Sequence, residues 1–303
     1  MYTRLTVFLF TLSACEGSSA SKPDSAGDSA GETADDPVWV DVEAAGHTTC
    51  ALDSAGAIAC WGWPAVADAA APEGPFVALQ VASDTACGLR LDGTIACWGA
   101  EEYDYDLHVA PEGVFTDLAL GDELGCATDA AGALTCWGRL EAASAPERLD
   151  GVAFDITGYG FCEMDDAGAI GCSGTISTGT SDQQPPEGTY SEFDLGRGMG
   201  CAIGASDGRV SCFGTRGAVE EYEPLGRALH ALSVGDAGSC AIDADGALSC
   251  EGTVPPYRDE ITLTGPFVDV AAGSRHLCAL RETGEIVCQG DDTYGQSDPP
   301  ADR

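Results

Sequence analysis

One stretch recurs seven times and restricts the chain more than any other feature. It first reads CALDSAGAIACWG from Cys50. It returns from Cys87, Cys126, Cys162, Cys201, Cys240 and Cys278, with starts separated by 37, 39, 36, 39, 39 and 38 residues. Fourteen of the fifteen cysteines belong to it. A fixed period near 38 with a hairpin in each copy predicts a propeller or a related array.

Each copy reads as an antiparallel hairpin. Strand side chains alternate, so Cys50, Leu52, Ile58 and Cys60 share one face, and Ala51 and Ala59 the other. Ser54-Ala55-Gly56 fits a three-residue loop in which glycine takes the left-handed position. The fifth copy has one extra residue, giving a four-residue loop, Ala205 to Gly208. An apolar run precedes each hairpin, as in Phe76-Val77-Ala78-Leu79 and Phe267-Val268-Asp269-Val270. Each unit therefore supplies at least three short strands, bulky on one face and small on the other. Such a sheet cannot bury both faces alone, whereas seven arranged radially can. A parallel β-helix is the rival, but tight hairpins do not build its coils. The expected fold is all-β, a seven-bladed β-propeller over residues 38–303.

That register sets the cysteines of each copy opposite one another: Cys50 and Cys60, Cys87 and Cys97, Cys126 and Cys136, Cys162 and Cys172, Cys201 and Cys212, Cys240 and Cys250, Cys278 and Cys288. Directly opposed residues lie about 4.5–5.5 Å apart at Cα, within reach of a disulfide. Closing so short a loop stabilises by roughly 2–3 kcal/mol at most, because the hairpin already restrains it. Reduced cysteines acting as small core hydrophobes are the alternative. Zinc fits poorly, since no Cys-x-x-Cys or Cys/His pairing at ligand spacing occurs.

The compartment decides between these readings. Arg4 precedes a short apolar run, Leu5 to Leu12, far short of a membrane span. Leu12-Ser13-Ala14-Cys15 resembles a bacterial lipobox, in which the cysteine is acylated and becomes the new N-terminus. A non-lipidated secretory signal is the alternative. The lipobox accounts for the fifteenth cysteine and makes residues 1–14 a signal peptide. It places the chain in the bacterial cell envelope, outside the cytoplasm, touching the membrane through the anchor alone. An oxidising compartment favours seven hairpin disulfides. Residues 15–37 then form the lipidated cysteine and a disordered acidic tether, rich in Ser, Ala, Gly and Asp.

Charge excludes some partners. Acidic residues number 50 against 13 Lys and Arg. From residue 38 onward 44 acids face 11 arginines, so the acidity belongs to the folded body. Such acidity argues against binding nucleic acid or an anionic membrane surface through that body.

The repeats resemble those of the regulator of chromosome condensation family, in the cysteine-containing form of exported bacterial proteins. The seventh copy carries the resemblance best: Gly273-Ser274-Arg275-His276-Leu277-Cys278-Ala279-Leu280, then Gly284, Cys288, Gly290 and Tyr294-Gly295-Gln296. The first three copies end in Cys-Trp-Gly at Cys60, Cys97 and Cys136, while later copies replace Trp with Ser173, Phe213, Glu251 and Gln289. The resemblance implies a seven-bladed propeller used as a protein-binding platform or an inhibitor. It does not carry over the nucleotide-exchange and chromatin roles of the nuclear member, given the export signal and the acidity.

No catalytic motif is present: no Gly-x-Ser-x-Gly, no His-Glu-x-x-His and no phosphate-binding glycine loop. Among the four histidines, His47 and His276 precede hairpin cysteines, where repeat packing explains them. Asp243-Ala244-Asp245-Gly246 resembles part of a calcium loop but occupies the hairpin turn, so it reads as a turn. No metal or other cofactor is expected. The expected function is non-enzymatic protein binding, the alternative being a hydrolase or lyase with a site dispersed over the central channel. Trp61, Trp98 and Trp137 are expected to pack between blades. Two segments match no other copy: Glu101-Glu102-Tyr103-Asp104-Tyr105-Asp106 and Glu220-Glu221-Tyr222-Glu223. As a contact surface, their aromatics would offer rigid area and their carboxylates would steer a basic partner; the alternative is a solvated acidic loop.

The lipobox reading has a direct check. Cys15→Ala should abolish incorporation of labelled fatty acid into the protein; labelling that survives the substitution would refute it.

Overall fold

The computed structural model describes residues 36–100, 106–139, 146–157, 160–174, 184–214, 229–252, 255–257 and 261–300. Among them lie seven separate three-stranded antiparallel sheets, each with its strands in chain order. The inner strands are Trp39–Ala45, Phe76–Val81, Asp117–Leu120, Ala153–Ile156, Tyr190–Gly196, Leu229–Val234 and Phe267–Ala272. The middle strands are Thr48–Asp53, Thr85–Arg90, Leu124–Thr128, Gly160–Met164, Met199–Gly204, Gly238–Asp243 and His276–Arg281. The outer strands are Ile58–Gly62, Ile95–Gly99, Leu134–Gly138, Ile170–Gly174, Val210–Gly214, Leu248–Gly252 and Ile286–Gly290. Each inner strand touches the next, and that of blade 7 touches that of blade 1, so the seven sheets close a ring. This is the seven-bladed β-propeller expected from the repeat.

Packing between blades follows the bulky and small faces. Cys50, Leu52 and Ile58 of blade 1 pack on Leu79, Ala86 and Trp98 of blade 2. Cys87, Leu89 and Ile95 of blade 2 meet Leu118, Ala127 and Trp137 of blade 3. At the closure, Cys278, Leu280 and Ile286 of blade 7 meet Val42, Ala51 and Trp61 of blade 1. The three tryptophans are thus inter-blade packing residues, as expected. Phe213 takes the same place in blade 5, against Cys162 of blade 4.

All seven cysteine pairs are disulfides within their own hairpins. Their Cα atoms lie 4.0–4.1 Å apart, closer than the expected range. The register explains why. Asp53 N–H donates to Ala57 O at 2.9 Å, and counting back from that hydrogen-bonded pair puts Cys50 and Cys60 in a non-hydrogen-bonded pair, where opposed Cα atoms come closest. Seven such bonds belong to an oxidising compartment outside the cytoplasm. No helix of the described residues is long and apolar enough to cross a membrane.

The hairpin turns do two jobs. In blades 1, 3, 4 and 6 an aspartate accepts two backbone N–H groups of its own turn. Asp243 Oδ1, for example, accepts from Asp245 and Ala247, each at 2.9 Å. The calcium-like motif is therefore a turn. The turn glycine then receives the next blade: Phe76 N–H donates to Gly56 O at 2.8 Å, Tyr190 to Gly168 at 2.8 Å and Phe267 to Gly246 at 2.9 Å. All seven turn glycines have positive φ, between 67° and 84°.

The segment after the last outer strand clips blade 7 to blade 1. Gln296 is fully buried, and its carbonyl accepts from Trp61 Nε1 and Thr49 Oγ1, both at 3.0 Å. Thr49 has one hydroxyl hydrogen and spends it there, so His276 Nε2, 2.8 Å away, must donate to the Thr49 oxygen. Burial, with His47 adding to it, holds the His276 pKa down to about 4.

Gly246→Ala tests the turn-to-blade junction. At φ 77° an added Cβ would lie 2.6 Å from Pro266 Cβ and 2.8 Å from Phe267 N. The substitution should cost about 2 kcal/mol or more in urea or thermal unfolding.

Candidate functional site

Inner strands are sheet edges, with backbone N–H groups facing the axis and no further strand to receive them. The chain supplies side-chain acceptors from the preceding blade instead. Leu195 N–H of blade 5 donates to Asp155 Oδ2 of blade 4 at 2.7 Å. Leu232 and Val234 of blade 6 donate to Glu192 Oε1 and Asp194 Oδ2 of blade 5, at 2.9 and 2.6 Å. Ala272 of blade 7 donates to Ser233 Oγ at 3.0 Å, and Val42 of blade 1 to Asp269 Oδ2 at 3.2 Å. Between blades 1 and 2 the link runs through side chains, Gln80 Nε2 donating to Glu43 Oε1 at 3.5 Å. The result is a polar belt along the channel, tying blades 4, 5, 6, 7, 1 and 2 in succession.

The belt surrounds a cavity of about 170 Å³, lined by Asp41, Glu43, Asp117, Asp155, Glu192 and Asp194 among others. Arg197 is its one basic lining residue among the described residues, and it pairs with Asp122 at 3.4 Å. Burial and then the neighbouring Asp194 push the Asp155 carboxyl well above the ordinary carboxylate range, despite two backbone N–H bonds. Burial alone pushes Asp117 up to about 6, against one bond from Leu118 N–H at 2.8 Å. Asp155 and Asp194 both sit against backbone donors of the following blade. A carboxyl that holds its proton is chemistry that acid–base catalysis can use. Here, however, the carboxylates Asp117, Asp155 and Asp194 are already engaged by peptide N–H groups, and among the described residues the lining holds no histidine, lysine or cysteine. Among the described residues no cluster of three or more His, Cys, Asp or Glu could hold a metal ion.

The residues singled out from sequence divide three ways. The fourteen hairpin cysteines are structural. Cys15, Glu101 to Tyr105 and Glu220 to Glu223 lie outside the described residues. Asp106 alone of its segment is described; it takes a left-handed backbone with φ 63°, and its carbonyl accepts Val109 N–H at 2.9 Å. The belt itself was missed, although it has a sequence signal. Glu43, Gln80, Asp155, Asp194 and Ser233 each stand seven residues before the first cysteine of their copy, and Asp41, Asp117, Glu192 and Asp269 stand nine before. Polar residues at one phase of otherwise apolar strands mark a face turned toward the axis.

Asp117 gives the belt a pH signature. A carboxyl whose folded pKa is raised contributes stability below its ordinary pKa near 3.8 and loses it as pH rises through about 6. Asp117→Asn keeps an oxygen for Leu118 N–H and cannot ionise. Its unfolding free energy should exceed the parent's by about 1–3 kcal/mol at pH 7.5 and match it at pH 3.5, read from paired denaturation curves.

Comparison with known proteins adds three solved structures and one family. The chain is similar to the CRINKLY WD40 ectodomain of the Arabidopsis thaliana receptor kinase ACR4, at 20% identity and a TM-score of 0.70, covering 84% of this chain and 96% of that one. It is similar to the entire ectodomain of the Physcomitrella patens receptor kinase CR4, at 22% identity and a TM-score of 0.64, covering 84% and 74%. Human WBSCR16 matches at 13% identity and a TM-score of 0.62, covering 80% and 87%. At these identities the likeness shows the fold alone. No curated protein matches the sequence. Residues 267–296, the inner strand of blade 7 through Gln296, match the regulator of chromosome condensation (RCC1) repeat. The chain is thus a seven-bladed β-propeller that carries a repeat of the regulator of chromosome condensation family.

Proposed function

We propose that this chain is a non-enzymatic protein-binding propeller, exported through a signal peptide at residues 1–14 and held to the envelope membrane by lipid on Cys15. Residues 15–37 tether it, and residues 38–303 are the working domain. One observation carries the non-enzymatic part. The polar groups that converge on the channel are spent on backbone donors of neighbouring blades, which is the requirement of a closed ring rather than of a substrate. What remains for function is the outer surface of a rigid, disulfide-stapled scaffold, where loops present contact residues. Export agrees with seven disulfides and a strongly acidic body. The acidity favours a basic protein partner and disfavours nucleic acid. Glu101 to Asp106 and Glu220 to Glu223 are the contact segments this reading puts forward.

Quantitative capture in the native envelope tests it. The lipid-anchored protein, crosslinked in place, should enrich one or more extracytoplasmic proteins over an acidic control of equal charge. Tyr103→Ala with Tyr105→Ala should lower that recovery by roughly tenfold without moving the melting temperature. No enrichment, combined with a hydrolytic or lyase activity lost in Asp155→Asn, would replace this reading with catalysis in the channel.

A further inference from the structure

The two ends of the ring differ in chemistry. At one end lie the turns joining inner to middle strands, and they are hooked together by polar contacts. Ser83 Oγ donates to Asp122 Oδ1 at 2.7 Å, Ser274 Oγ donates to Asp236, and Arg197 pairs with Asp122. At the other end lie the hairpin turns and the starts of the inner strands, joined by the Phe76, Phe115, Tyr190 and Phe267 junctions.

That second end carries the exposed apolar surface. Of the eight exposed large hydrophobics among the described residues, six are there: Val38, Val40, Leu91, Val114, Val152 and Val268. Their exposure runs from 40 to 74%. Two are placed outward by the backbone, since Val40 and Val268 are the extra residues at register shifts of their inner strands. Val114 packs beside Gly93 in the turn that carries Leu91, which joins blades 2 and 3 into one patch. The apolar arc runs over blades 7, 1, 2, 3 and 4 and stops at blades 5 and 6, where Ser191 and His230 take the place of Val40 and Val268.

We infer that this arc docks a protein segment presenting apolar side chains flanked by arginine or lysine. The argument from charge is specific. Exposed Asp92, Glu112, Asp150, Asp165 and Glu282 stand around the arc. Of its nearby cations, Arg90 and Arg281 are drawn into packing, over the Phe76 ring at 5.2 Å and the Phe267 ring at 5.4 Å, and the exposed Arg148 beside the Gly132 turn is outnumbered by these five acids. A second copy of the chain would bring the same acids and a net charge of −37 to the contact, so self-association is opposed. Anionic lipid headgroups are repelled for the same reason. A basic, apolar segment gains both burial of the valines and charge complementarity. The inference rests on the protein-binding reading and names the chemistry of the partner. It places the contact, however, on the hairpin-turn end and not on the Glu101 to Asp106 segment, whose Asp106 precedes Leu107, beside Gly138 at the other end.

The test uses the mature protein and three short synthetic peptides: leucine alternating with arginine, leucine with glutamate, and serine with arginine. The leucine–arginine peptide should bind best, in anisotropy titrations at moderate salt. Val152→Asp with Val268→Asp should weaken it by roughly tenfold, although two added carboxylates would strengthen a purely electrostatic contact. Arg275→Asp makes the same change in charge at the opposite end and should leave binding as tight or tighter. Val152→Ser with Val268→Ser repeats the comparison without added charge, and melting temperatures confirm that each variant is folded. Equal binding by both valine variants, equal binding of the serine–arginine peptide, or no binding of the leucine–arginine peptide overturns the inference. Envelope proteins captured and protecting the opposite end from hydrogen exchange would overturn it too while leaving the protein-binding reading intact. Failure of capture altogether overturns that reading instead.

Discussion

Every blade has two faces to bury and, among the described residues, three short strands to do it with. A sheet that small is not stable in water, because the apolar area it covers does not offset the entropy of ordering its chain. The ring removes this problem only if it closes, so the junction between blades 7 and 1 matters to every other blade. There the chain adds Gln296, whose carbonyl receives Trp61 and Thr49, and a buried neutral His276 that donates to Thr49. Other junctions combine the turn glycine, the packing of bulky on small faces and, as at Asp155 with Leu195 N–H, a belt bond. The closing junction carries a side-chain network as well, because no covalent linker crosses it.

Disulfides and the polar belt act at different radii. Each disulfide lies between the middle and outer strands and stabilises one hairpin, adding no link between blades. The belt lies at the inner edge and links blades without stapling any one of them. Local order and ring order are thus held by separate interactions.

The ionisable groups buried by these interactions pull in opposite directions with pH. His276, with its pKa held down to about 4, loses stability as acid forces a proton onto it. Asp117 and Asp155, raised by burial, lose stability as base removes theirs. A chain with 50 acids therefore keeps its least tolerant carboxylates inside the ring and its charge on the outside. Surface charge serves solubility and partner choice, whereas the channel carboxylates serve closure.

Sequence alone determined the blade count, the hairpin register, the cysteine pairing, the left-handed turn glycines and the inter-blade place of Trp61, Trp98 and Trp137. All of these follow from periodicity: strand alternation has period two, the copies have period near 38, and both are visible in a linear string. The belt was legible only in part. Acids recur seven or nine residues before the first cysteine, but among 50 acids nothing linear says that Asp155 will meet Leu195 N–H of the next blade. The same holds for the arc of Val40, Val114, Val152 and Val268. Each valine belongs to an apolar run that reads as core; bulges at the start of the inner strand turn Val40 and Val268 outward, Val114 and Val152 stand just ahead of their inner strands, and the order of blades around the ring sets all four on a common face. Contacts between residues about 40 positions apart depend on the angle at which one blade meets the next, and that angle is set by packing, which a linear pattern does not encode.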